Sequence, residues 1–155
     1  MYQNMCAGVL RAPLVLNLFD VPNNQVRPRN TDDIEQQMKS TVSTFRPFTF
    51  LATEATPNFV KASKTTARNQ TLVNEAFLAC GLERYHLAHG QYPETLEALM
   101  AQFAEKLPHD IVGGQPLKYH RTADGKFALY SVGWNQQDDG GVPGKTTPEG
   151  DWVWP

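Results

Sequence analysis

Asn135, Asp138, Asp139, Glu149 and Asp151 fall in or beside one stretch near the end of the chain, interleaved with Gly133, Gly140, Gly141, Gly144 and Gly150. Oxygen donors at that density suit a hard cation. Ca2+ takes about six to eight oxygens from carboxylates, carbonyls and waters, and glycines let a backbone turn its own carbonyls inward. The same residues are also ordinary turn formers, and the spacing is not that of an EF-hand. Glu83, His86 and His89 make a second set, three residues apart, which places them along one face of a helix. A Glu-x-x-His pair is a carboxylate–metal element when a second helix carries its counterpart, and no such helix is visible. A polar stripe on a packed helix is the plainer reading, and a small metal-dependent enzyme using His86 and His89 is the alternative. Signatures of nucleophilic catalysis and phosphate-cradling glycine loops are missing, and Gly113-Gly114 reads as a turn. The expectation is therefore no enzyme, no catalytic residue and no small-molecule substrate.

The elements that position these residues follow from periodicity and punctuation. Pro13, Pro22 and Pro28 interrupt the first thirty residues, and Asn23-Asn24 adds a turn signal. Thr31-Asp32-Asp33 is a cap with acidic first-turn residues, and Ile34, Met38 and Val42 share a helical stripe, which predicts a short helix over 31–46. From Asn58 to His89 there is no Pro, and no Gly except Gly81. The spacing of Val73, Ala76, Phe77, Cys80, Leu87 and Ala88 predicts one long helix with that face buried, widened by Leu72, Leu78, Leu82 and Tyr85. Gly90 is a natural stop. A short second helix carries Leu96, Leu99, Met100 and Phe103 and ends at Pro108. Leu117–Arg121 and Phe127–Val132 alternate as strands around an Ala123-Asp124-Gly125 turn, and Trp152–Trp154 closes a third strand. Helices precede strands, the α+β pattern. Tyr119, Phe127, Leu129, Trp152 and Trp154 can supply the sheet face that receives the helix.

At 155 residues the chain suits one domain with an attached arm, and folding at this size buries roughly 70% of the unfolded surface. Net charge is −2 with charged residues at 19%, which gives no electrostatic footprint for nucleic acid. No apolar run approaches the ~18 residues of a membrane span. Cys6 and Cys80 are far apart, and Cys80 sits in the helical pattern, so two free thiols are expected rather than a bridge.

The stretch Leu82–Pro93, ending Gly90-Gln91-Tyr92-Pro93, looks like the end of a pseudopilin spine helix with its Gly-x-Tyr-Pro turn. Leu107-Pro108-His109-Asp110, then Gly113–Tyr119, resembles that family's passage into the sheet. Phe127–Gly133 with Asp138-Asp139-Gly140-Gly141 resembles the closing strands and loop of the major pseudopilin of type II secretion. The likeness covers about residues 67–155. It implies an arm over 1–57 and a pseudopilin-like domain over 58–155, in which a long helix packs on a three-strand antiparallel sheet. It also implies a calcium ion held by Asp138 or Asp139 and by Asp151, with Asn135 and neighbouring backbone carbonyls as weaker ligands. The family's basic leader, terminal glutamate and hydrophobic anchoring helix have no counterpart here. The chain is also similar to bacterial envelope proteins that carry this tail after membrane segments.

The expected function is that of a non-catalytic structural or interaction domain exposed at the cell envelope, with a protein partner or self-association. A membrane tether is expected only in a longer parent protein. A secretion or pilus assembly subunit is the other reading, and it requires a membrane-spanning helix directly before this segment. Trp134, Trp152 and Trp154 either cover the helix or line an edge for a partner.

Overall fold

The computed structural model describes residues 16–29, 31, 34, 50–100, 105–145 and 149–155, with the backbone alone for 50–59. The chain divides into two compact units, residues 1–66 and 67–155. It is mixed α and β: one long helix, α1 (Phe50–His89), with a two-strand and a three-strand antiparallel sheet.

In the first unit, β1 (Phe19–Asp20) and β2 (Gln25–Val26) form a hairpin with Phe19 opposite Val26. The Asn23-Asn24 signal lies in the turn, where Asn24 adopts φ 50°. Asp20 organises that turn. Its carboxylate accepts the Asn23 side-chain amide at 3.0 Å and pairs with Arg27 at 2.5 Å; the Asn23 bond, then Arg27, holds its pKa below the usual carboxylate value. Leu18, Ile34 and Val60 form a buried cluster with Phe19 against it. The helix expected over 31–46 lies outside the described residues except for Thr31 and Ile34, both buried.

The long helix begins at Phe50 rather than Asn58 and carries Pro57 inside it. Proline disfavours a helix interior because it lacks the N–H and crowds the preceding turn, and for that reason Pro57 reads in sequence as a boundary. The helix ends as expected: Gly90 at φ 74° donates its N–H to His86 O at 2.7 Å. Tyr92, in the turn that follows, stacks on the His86 ring at 4.5 Å, meets Phe127 edge-on and donates its hydroxyl to Glu83 at 2.7 Å. Tyr119 donates its hydroxyl to the carbonyl of Pro93 at 2.7 Å, so the turn is fastened to helix and sheet together. Leu96–Leu99 forms a 3-10 turn with both leucines buried. Phe103 lies outside the described residues.

The sheet has the order β3 (Lys118–Arg121), β4 (Phe127–Ser131), β5 (Trp152–Val153), antiparallel throughout. Gly125 at φ 79° closes the β3–β4 turn. Leu78 and Leu82 from α1 pack with Leu96, Leu99, Leu117 and Leu129, and Tyr85, Tyr119, Phe127 and Trp154 lie against this core.

The buried face of α1 differs from expectation. Ala67, Thr71, Glu75, Leu78, Ala79 and Leu82 are buried. Val73, Phe77 and Leu87 are 61%, 50% and 83% exposed, and Cys80, a free thiol, is exposed as well. The helix is apolar on two opposite sides, and helical period alone does not say which side meets the sheet. Trp152 is also corrected: it is buried, but its indole lies beside Gly133 rather than in the leucine core.

Candidate functional site

Two polar constellations flank the end of β4. The first is the glycine-rich stretch over 132–145 and 149–151. Asp151 is buried and faces the loop backbone: Oδ2 accepts the Gly141 N–H at 2.6 Å and Oδ1 accepts the Asp139 N–H at 3.3 Å. The Asp151 N–H in turn bonds Val142 O at 3.0 Å. Asp138 is half-exposed. It accepts the Tyr130 hydroxyl and the Gly140 N–H, each at 3.1 Å, and pairs with Lys118 at 3.2 Å. The Gly140 bond, with Lys118 second, holds its pKa below the usual range. Asn135 donates to Asp139 Oδ2 at 3.1 Å and accepts the Gln137 N–H at 3.1 Å.

Asn135, Asp138, Asp139 and Asp151 thus share one loop, but each is engaged with its own N–H or O–H donors. Among the described residues no three His, Cys, Asp or Glu side chains gather into a group able to hold a metal ion. Carboxylate-to-amide bonds from Asp151 tie the two sides of this stretch together. For Asp138, an exposed pair with Lys118 implies a modest role. Asp138→Ala is expected to lower stability slightly at low salt and not measurably at high salt, read by urea denaturation at both ionic strengths.

The second constellation is buried. Asp110 Oδ1 accepts the Val112 N–H at 2.9 Å and Oδ2 accepts the Val132 N–H at 3.2 Å. The Ser131 hydroxyl also bonds it, while the Ser131 Oγ accepts the Gly133 N–H at 3.1 Å. The Asp110 backbone bonds Gln115 and Gly114, and Asn74 of α1 reaches His109 O at 3.1 Å. Glu75, on the inner face of α1, is 1% exposed, and its Oε1 has no hydrogen-bond partner. Burial, with the Asp110 charge second, pushes its pKa up to about 8, against a smaller opposing effect of the Ser131 N–H. Burial raises Asp110 too. Sequence reading missed this cluster because the face it assigned to the core placed Glu75 outside. A carboxylate amid Thr71, Leu78, Ala79 and Leu82 was the signal.

His86 stacks on Tyr92, and His89 stacks on Tyr85 at 4.1 Å with Nδ1 3.0 Å from Tyr85 O. A shallow groove of about 160 Å3 lies elsewhere, lined by Glu94, Glu97, Leu107, Pro108, Pro116 and Tyr119 among others. Burial raises the Tyr119 hydroxyl to about 12, and that hydroxyl is committed to Pro93. No helix among the described residues is long and apolar enough to cross a membrane. Comparison of the chain with known protein families, curated proteins and solved structures finds no match.

Proposed function

We propose that the chain is a non-catalytic structural or interaction domain, carried at a bacterial cell envelope as its pseudopilin-like tail implies, that associates through the outer face of α1. The observation that supports this is the second apolar side of the helix. Leu72, Val73, Phe77 and Leu87 are each at least 45% exposed around Cys80, on a helix whose opposite side already fills a core. Large exposed apolar patches are rare on monomeric proteins and mark interaction sites. Val73, Cys80 and Leu87 repeat at intervals of seven, the period of a helix–helix seam. The partner such a seam meets is another helix, and the same helix of a second copy supplies one.

Sedimentation across a wide concentration range tests this. The wild-type chain is expected to shift from monomer to dimer, and the double variant Phe77→Ser, Leu87→Ser is expected to stay monomeric with nearly unchanged melting, since both side chains are exposed. In a Cys6→Ser background, Cys80 should cross-link under mild oxidation as a dimer. A wild-type monomer at every concentration would refute self-association.

A further inference from the structure

The chain just after β4 is gripped from two sides by buried carboxyl groups. Ser131, Val132 and Gly133 present three consecutive N–H groups: the first faces Glu75, the second bonds Asp110 Oδ2 and the third bonds the Ser131 hydroxyl oxygen. That hydroxyl bonds Asp110. Glu75 belongs to α1, Asp110 to the loop before β3, and Ser131 ends β4. Both carboxyls are almost wholly buried, and two neighbouring buried negative charges disfavour one another's ionisation. Glu75 Oε1, without a partner among the protein groups, is where a proton would sit.

We propose that Glu75 and Asp110 form a proton-controlled latch on the glycine loop: with one proton held on the pair the two carboxyls sit together against Ser131–Gly133, and its loss to solvent leaves two anions that repel one another and loosens the entry to the loop. The groups that act on Glu75 are Asp110, which disfavours its ionisation, and Arg68 and the Ser131 N–H, which favour it. His109 acts on Asp110 in the favourable sense. Arg68 and the N–H are outweighed by burial, since Glu75 moves from 4.5 up to about 8. The sign follows. Between those values the folded chain keeps a proton that the unfolded chain has released, so stability falls as pH rises through this window and levels off above about 8. The clamp opens at the upper end, where the folded pair loses the proton.

The test uses the full chain. Wild-type melting temperature is expected to fall by roughly 10 °C between the two ends of that window in excess of any fall in Glu75→Gln, whose neutral amide cannot ionise. Emission of Trp134 and Trp152, both buried and close to Gly133 in chain or space, should shift red above the upper end in wild type and not in the variant. Equal pH dependence in the two proteins would overturn the latch. Should Glu75→Gln fail to fold, a carboxyl-carbon NMR titration of the wild-type chain decides the matter: a Glu75 midpoint near 8 supports the proposal, and a midpoint in the ordinary carboxylate range overturns it.

Discussion

Gly133→Ala is expected to destabilise this chain strongly. Gly133 has φ 66°, and a Cβ there would lie 2.3 Å from the carbonyl oxygen of Gly150. The obstacle is backbone, which cannot rotate away as a side chain can. The Gly150 segment is itself held: a Cβ on Gly150 would meet the Gly144 nitrogen at 2.2 Å, and β5 starts two residues later. Relief therefore requires parting the two sides of the loop and disturbing the seats of Asp151 and Trp152. The expected loss is about 3 kcal/mol or more. Gly125→Ala is the control. Its φ is 79°, but no atom lies within 4 Å of the added Cβ, so only the left-handed backbone cost, about 1 kcal/mol, applies. Urea denaturation of both variants checks the contrast. Similar losses would mean that the loop is not closed as tightly as its geometry indicates.

The second large effect concerns Asp151. Its carboxylate receives the N–H groups of Asp139 and Gly141 from a buried position. Hydrogen bonds to a charged acceptor contribute about 1.5–3 kcal/mol each, and donors left unsatisfied add to the loss. Asp151→Ala is expected to cost about 3 kcal/mol, and Asp151→Asn, which keeps one acceptor oxygen, about half as much. The dependence on calcium is the decisive readout. If the loop is closed by amide-to-carboxylate bonds, the loss is the same in excess calcium and in excess chelator. If Asp151 serves an ion, the loss appears only in calcium, and the wild-type melt rises with calcium by the mass action of a ligand that binds the folded state alone. Equal losses are the expected result.

Much of the second unit was legible in the sequence because its signals are local. Alternation over Phe127–Val132, the Ala123-Asp124-Gly125 turn and the stop at Gly90 each depend on residues a few positions apart, and the strands and helix end lie where those signals put them. Two other readings depended on distant partners. The run containing Val73, Phe77 and Leu87 looked like the core face, but Leu96, Leu99, Leu117 and Leu129 pack on Leu78 and Leu82. Asp138, Asp139 and Asp151 lie close together in the chain. Whether their oxygens converge or turn to separate N–H donors depends on how the loop folds back, which spacing in the chain does not encode.

By itself the sequence determined the order of elements, the antiparallel hairpin and the crowded acidic loop, since backbone preference and residue alternation act over short distances. Only the tertiary structure decided which side of α1 is buried, because both sides are apolar and the choice is made by the leucines that meet them. The same choice carried Glu75 inward, next to Asp110 and Ser131. A glutamate in a helix reads as a solvated residue until the opposing surface is known; here that surface removes it from water and raises its pKa.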